Sequence, residues 1–186
     1  MIKEFNVAKV LISQELELRE AFEISIGPEL SRIIKEAYSC ARKWRHEFIT
    51  GKHLLFVLLH NESAVKVFLA CEVDIDNMRQ KLATHIKENT LPVIGTSEVD
   101  PRDSLDFLRV INNTKVNAHH TGKLAYYGKV KAKGVDTLLE ILYVGDPLTI
   151  HYLDLWGVTR QKVTDFMRTH GVKKASRPRS PSPVKA

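Results

Sequence analysis

Residues 54–59 form an uninterrupted apolar run shortly after Thr50, a residue type that favours the start of a helix. The flanking residues continue at helical spacing, so the run predicts a short helix that is apolar on nearly every side. Such a helix is stable in water only when other helices cover it. The sequence therefore predicts a helical bundle with this short helix inside it.

The neighbouring segments predict three further helices in the first half. An apolar stripe that begins at Leu30 indicates an amphipathic helix before the buried one. Ser63 is predicted to cap the third helix and Asp74 the fourth. Val73 and Met78 flank the start of the fourth helix at the spacing of a hydrophobic staple.

The second half again predicts four helices. Its first helix is predicted from about Ser104 to Ala118, with an apolar stripe given by Leu105, Leu108, Ile111 and Val116. Asp146 followed by proline predicts the start of the third helix, because Asp caps well and proline suits the first turn.

The two halves share one order of helix lengths, caps and staples. Leu55 corresponds to Leu138, and Ile33 corresponds to Val110. A period this long indicates a duplicated supersecondary unit. The predicted fold is all-α, with two tandem four-helix repeats packed about a pseudo-two-fold axis, so that each repeat covers apolar surface of the other.

Composition divides the chain into five parts. Residues 1–29 form an N-terminal extension without a clear element. The repeats are predicted at 30–90 and 104–171, and a linker with prolines and a glycine joins them at 91–103. Residues 172–186 are basic, rich in Pro and Ser, and predicted to be a disordered tail.

The sequence contains no pattern typical of catalysis. None of the nine glycines lies in a phosphate-binding loop, and His46-Glu47 lacks the second histidine of a zinc protease. His53 is expected to cap or pack, and Cys40 and Cys71 lie on apolar stripes. We therefore expect no enzyme activity, no cofactor and no metal site. Without a membrane-spanning or signal segment, we expect a cytoplasmic protein with no membrane partner.

The net charge of +6 is concentrated in two stretches. Residues 111–135 carry five lysines and no acid, and residues 173–186 carry five basic residues and no acid. The remaining residues carry more acidic than basic side chains. A basic face spread over a fold is the usual sign of nucleic-acid binding, so this distribution supports it less.

The first of these stretches mixes lysine with tyrosine in a predicted loop. Its side chains could stack on nucleic-acid bases, clamp an acidic protein partner, or only solvate a long connection. The residues concerned are Lys123, Tyr126, Tyr127, Lys129, Lys131 and Lys133.

Residues 45–86 resemble the N-terminal repeat domain of Clp/Hsp100 unfoldases, and ClpA in particular. The shared features are a His-Glu-Phe turn, a threonine cap, an HLL start to the buried helix, and a Val-Asp start to the fourth helix. VDTLLEIL and LDLWGVTRQKVTDFMRTHG follow the second repeat of that family. The resemblance implies the duplicated helical fold, no enzymatic activity, and a domain that receives substrates or adaptors such as ClpS above an ATPase ring.

The resemblance also implies where a partner docks. The adaptor surface of ClpA-like domains uses positions that here hold Glu47, Lys52, Ser104 and Asn117. In the relatives the second position is acidic and the fourth is histidine, so one charge is reversed and one histidine is lost. In ClpC-like relatives, acidic residues before each buried helix receive phosphoarginine; here these positions hold Lys52 and Asp136, so only the second could serve.

The leading hypothesis is a non-catalytic protein-binding module. Its expected partner is a ClpS-like adaptor, a Clp substrate or a Clp-related complex. Because no ATPase module follows the repeats, the chain is expected to be either an excised domain or, as its distinctive tail favours, a stand-alone regulator or decoy of Clp-type proteolysis. One alternative is a nucleic-acid-associated protein that uses the lysine loop and basic tail, with binding that falls steeply with salt. The other is a structural subunit of a larger assembly.

Overall fold

A computed structural model of the chain describes residues 27–90, 92–95, 98–120 and 132–170. These residues form eight helices and two two-residue strands, which confirms the all-α fold class. The elements are α1 (Pro28–Lys43), β1 (Phe48–Ile49), α2 (Gly51–Leu58), α3 (Glu62–Ala70), α4 (Ile75–Asn89), β2 (Arg102–Asp103), α5 (Leu105–His120), α6 (Gly134–Val144), α7 (Pro147–Leu155) and α8 (Arg160–His170).

The two short apolar helices, α2 and α6, lie at the centre and contact each other. Leu54, Leu55 and Leu58 of α2 are fully buried, as are Leu138 and Ile141 of α6. Helix α1 packs along α2, and α5 packs along α6; α4 covers α2, and α8 covers α6. The predicted buried helix is confirmed. The pseudo-two-fold axis and the domain boundaries stay predictions.

Local capping fixes the starts of the outer helices. Asp74 accepts the backbone N–H of Asn77 at 3.1 Å, and Asp146 accepts that of Leu148 at 3.0 Å, as predicted. The prediction of Ser63 as the cap of α3 is wrong. Asn61 is the cap, because its side-chain oxygen accepts the backbone N–H groups of Ser63 and Ala64 and the helix already begins at Glu62.

Helix α5 has the predicted position, but three of its four predicted stripe residues face solvent. Leu105 is 71% exposed, Leu108 38% and Val116 51%. The buried face carries Phe107, Val110, Ile111, Thr114 and Ala118. Apolar residues lie on two sides of this helix, and its packing against α6 selects the one that is buried.

The strands tie the connection between the halves to the turn between α1 and α2, residues 44–50, which we call the α1–α2 turn. Phe48 pairs with Arg102 and Ile49 with Asp103 in parallel. At the other end of the connection, Val93 N–H donates to the Arg45 carbonyl at 2.7 Å. Both ends of the connection are therefore fastened to the same turn.

Candidate protein-docking surface

An ion pair joins the α1–α2 turn to β2. The Glu47 carboxylate pairs with the Arg102 guanidinium, and the two side chains are 54% and 68% exposed. The guanidinium also lies over the Phe48 ring, 4.9 Å from its centroid. An exposed pair of this kind contributes about 1 kcal/mol or less to folding. Its charges are therefore accessible to a partner and matter little to the core.

The starts of α2 and α5 meet beside this pair. Gly51 N–H, at the first residue of α2, donates to the Asp106 carboxylate at 2.6 Å, and Ser104 Oγ donates to the same carboxylate. Lys52, the next residue of α2, is half-buried. The structure thus places Glu47, Lys52 and Ser104 around one junction, although they are distant in sequence.

Asn117 and Asp136 lie elsewhere. Asn117 is near the far end of α5, roughly 20 Å along the helix from Ser104 at 1.5 Å per residue. Its amide donates to the Glu140 carboxylate at 2.6 Å. Asp136 is buried at the start of α6, where its carboxylate accepts the Lys133 N–H at 2.8 Å. Asp136 is the third residue of its helix, so its counterpart in α2 is His53 and not Lys52.

Most of the lysine and tyrosine loop lies outside the described residues. Lys133 immediately precedes α6 and provides the backbone N–H that Asp136 accepts. The other residues of that prediction, Lys123, Tyr126, Tyr127, Lys129 and Lys131, lie outside the described residues. Their predicted roles stay predictions.

An exposed apolar face on α5 extends from the junction. Leu105, Leu108 and Val116 form this face, which we call the α5 face; steps of three and four residues, with Asn112 between the last two, align them. Phe48, 42% exposed, lies at its beginning because β2 leads directly into α5. The sequence shows two stripes at helical spacing on this helix: the exposed one, and a second one that contains Phe107, Val110 and Thr114. It does not show which of the two stripes is covered.

Two buried histidines lie beneath the α1–α2 turn. His46 Nδ1 is 2.9 Å from His53 Nε2, and Thr50 N–H donates to His53 Nδ1 at 3.1 Å. The Trp44 ring lies 5.8 Å from each imidazole. Burial lowers the pKa of both histidines, and that of His53 falls to about 3, with the positive charges of protonated His46 and Lys52 adding to the effect. The expected capping role of His53 is present in this geometry.

Other chemistry-bearing side chains are dispersed. Within the described residues, no three His, Cys, Asp or Glu side chains are grouped so that they could hold a metal ion. Burial raises the pKa of the Cys40 and Cys71 thiols, which favours their protonated form. In the same part of the chain, no single helix is long and apolar enough to cross a membrane; α2 and α3 satisfy this only jointly, by length and composition, with an 83° bend between them.

Known proteins share this fold and sequence pattern. The family model of the Clp repeat (R) N-terminal domain matches residues 26–125. A ClpA homolog protein from Fuscovulum blasticum is 26% identical over 153 residues, which are 81% of this chain and 18% of that protein. The chain therefore spans less than a fifth of that relative's length.

Two solved structures show the same architecture. The N-terminal domain of the ClpV1 ATPase from the E. coli EAEC Sci1 T6SS superimposes with a TM-score of 0.60 at 15% identity, covering 91% of this chain and 99% of that one. The Hsp104 N-terminal domain from Candida albicans gives 0.61 at 13% identity, covering 79% and 92%. At these identities the likeness concerns the fold. Together with the family match, it shows that the chain belongs to the Clp repeat (R) N-terminal domain family.

Proposed function

We propose that this chain is a non-catalytic protein-binding module that docks an adaptor-type protein on the α5 face and the adjoining junction of Glu47, Lys52 and Ser104. The exposure of Leu105 and Leu108 near the Glu47–Arg102 pair, and of Val116 further along the same helix face, carries the proposal. Apolar side chains aligned on one exposed helix face are a common mark of a protein-interaction site.

The charges at the junction would fix the orientation in which a partner binds to this surface. Glu47 and Arg102 are accessible, and Lys52 adds a positive charge at the start of α2. Charged groups around an apolar contact mainly set the register and the rate of association. A partner that places an apolar segment along α5 and an acidic side chain near Lys52 would match this surface.

Family membership supports an adaptor as the partner. Clp repeat domains are protein-interaction modules, and ClpA-like relatives receive adaptors at the positions equivalent to Glu47, Lys52 and Ser104. A domain that binds an adaptor competes for it with any unfoldase that carries the same domain. The proposed role is therefore a regulator or decoy of Clp-type proteolysis.

The test is an affinity purification from the native host with three baits: the parent chain, Leu105→Asp and Leu155→Asp. Leu105 and Leu155 are 71% and 70% exposed, but Leu155 ends α7, outside the proposed surface. Each bait is used at low and at raised salt, and bound proteins are identified by mass spectrometry. We expect an adaptor or another Clp component on the parent and Leu155→Asp baits at both salts, and its loss from the Leu105→Asp bait.

Two outcomes contradict the proposal. Equal retention of that component by all three baits would place the binding site elsewhere. Recovery mainly of nucleic acid and ribosomal proteins, lost at raised salt, would move the function to the basic stretches. Once a partner is recovered, Lys52→Glu tests its acidic contact, because reversing this charge should slow association with a partner that is acidic there.

A further inference from the structure

We propose that His46 and His53 form an acid-sensitive latch that holds the α1–α2 turn, and with it the docking junction, in place. The regulatory meaning of this histidine latch rests on the proposed function. The latch itself is a property of the chain alone and can be tested without a partner.

Hydrogen bonding fixes the protonation of both rings. Thr50 N–H donates to His53 Nδ1, so that nitrogen carries no proton. Neutral His53 therefore carries its proton on Nε2, from which it donates to His46 Nδ1 at 2.9 Å. His46 must then also carry its proton on Nε2. The geometry defines one tautomer for each histidine.

A second proton on either ring is disfavoured in this arrangement. An imidazolium ion has two N–H donors and no acceptor. Protonated His53 would direct Nδ1–H at the Thr50 N–H, although Thr50 Oγ1, 3.0 Å from the same nitrogen, could accept it in part. Protonated His46 would direct Nδ1–H at the Nε2–H of His53 and has no such acceptor there. Both rings are 1% exposed, so water does not stabilise the added charge. Proton uptake therefore favours opening of the turn.

The surrounding charges do not compensate for protonation. Lys52, at the start of α2, disfavours a positive charge on His53. Among the described residues, the neighbouring acids have other partners: Glu47 pairs with Arg102, and Asp106 of α5 accepts the Gly51 N–H and the Ser104 hydroxyl. Arg45, in the same turn, donates to the Val93 and Gly95 carbonyls. The Trp44 ring contacts both imidazoles.

Acid should consequently open the turn in a cooperative manner. A histidine released to solvent has an ordinary pKa of about 6.5, so each pH unit below that value favours the open turn by up to about tenfold per histidine. Because the two rings share a hydrogen bond, opening releases both, and the dependence approaches about a hundredfold per pH unit. Glu47 and β1 lie within this turn, so opening disperses the docking junction.

The first experiment follows the histidine and amide resonances of the full chain by ¹⁵N NMR between about pH 7.5 and pH 4.5. We expect both rings as Nε2–H tautomers at the upper pH. On acidification we expect them to titrate together, with a Hill coefficient above one and a simultaneous shift of the Thr50 amide. The Lys133 amide is the internal control, because it donates to the Asp136 carboxylate at the equivalent position of α6 and should not follow the histidines.

Two variants sharpen this test. His53→Gln can accept the Thr50 N–H and donate to His46 Nδ1 through its amide, but it does not titrate. Of the pair, only His46 remains to titrate in this variant, and we expect it to do so with a Hill coefficient near one and at a lower pH than in the parent chain. His60→Gln, at an exposed histidine beyond the end of α2, should behave like the parent chain.

The latch is disproved if either ring is an Nδ1–H tautomer at neutral pH, or if the rings titrate independently while the Thr50 amide stays unmoved. These readings come from the parent chain and hold even if His53→Gln does not fold. A partner that fails to bind at neutral pH would refute the docking proposal and leave these readings intact. A partner that binds the parent equally at about pH 7.5 and pH 5, while the NMR shows an open turn, would refute the regulatory link.

Discussion

Glu29 and Asp106, the second residues of α1 and α5, each accept the first backbone N–H of a central helix in the other half of the chain. Glu29 accepts the Gly134 N–H of α6 at 2.9 Å, and Asp106 accepts the Gly51 N–H of α2 at 2.6 Å. A carboxylate at a helix N-terminus satisfies an otherwise unpaired donor and complements the helix dipole. The reciprocal exchange supports the predicted duplication, since each half completes the central helix of the other.

Removing either cap should destabilise the fold without unfolding it. We expect Glu29→Gln and Asp106→Asn each to lower the free energy of unfolding by about 1–2 kcal/mol, the range measured for helix caps. Urea unfolding of the two variants and the parent measures this. Glu36→Gln, at an exposed position of α1, is the matched control and should stay within about 0.5 kcal/mol. Losses no larger than that of the control would show that these carboxylates do not act as caps.

The two capped glycines should respond differently to a methyl group. A Cβ on Gly51 would meet the Asp106 carboxylate oxygen at 2.9 Å, the end of a flexible side chain. A Cβ on Gly134 would lie closer still to the Asn61 side-chain oxygen, which is held in place as the cap of α3. We expect Gly134→Ala to cost about 1–3 kcal/mol, the usual cost of overpacking, and Gly51→Ala to cost less. Urea unfolding compares them, and the reverse order would contradict the assigned rigidity of Asn61.

Stability should fall as the pH drops below neutral. The pKa of His53 is about 3 in the folded chain and about 6.5 in an unfolded one, so the unfolded state binds more protons in between. The contribution of neutral His53 is therefore complete above about pH 6.5 and is lost progressively toward pH 3, at up to about 1.4 kcal/mol per pH unit. Urea unfolding at intervals between about pH 7.5 and 5, where most carboxylates stay ionised, measures this slope.

The matched comparison for that slope is His53→Gln. This variant keeps a donor and an acceptor at the same place without a titrating ring, so its unfolding free energy should depend less on pH than that of the parent. Equal slopes in the two proteins would assign the acid sensitivity to other groups.

Two arginines donate hydrogen bonds to backbone carbonyls at the ends of the central helices, and replacing them gives a fourth prediction. Arg79 donates through Nε to the Leu59 carbonyl at 3.1 Å, and Arg160 donates through Nε to the Leu142 carbonyl at 2.6 Å. Lysine carries a similar charge but cannot reproduce the guanidinium geometry. We expect Arg79→Lys and Arg160→Lys each to cost about 1 kcal/mol in urea unfolding. Arg32→Lys, at an exposed position of α1, should cost less, and an equal loss there would contradict a specific role for the two arginines.

The sequence predicted the elements whose determinants are local. Asp74 and Asp146 cap their helices because the acceptor and the donors lie within three residues. Residues 54–59 had to be central because no face of that helix is polar. The sequence also contains a sign of the Glu29–Asp106 exchange. These two residues have the same sequence separation as Ile33 and Val110, which the predicted duplication pairs.

The sequence did not predict what distant contacts decide. Asn61 and Ser63 are both good capping residues; Ser63 is drawn away from that role because its hydroxyl donates to Glu29, which lies 34 positions earlier. The exposed side of α5 depended on which of two apolar stripes meets α6. The Glu47–Arg102 pair required β1 and β2 to align, and two-residue strands leave almost no pattern in a sequence. The last two of these points define most of the candidate docking surface.

Both ends of the connecting segment are bonded to the α1–α2 turn, and this limits the effect that insertions in the segment can have. Val93 is held by Arg45, and Arg102 by Glu47, so the geometry of the two halves is set outside the stretch between Gly95 and Glu98. Residues inserted there would enlarge a loop that is already closed, and each doubling of such a loop costs only about 0.6 kcal/mol. A longer stretch in a relative, or a tag inserted here in this chain, should therefore leave the two halves in place.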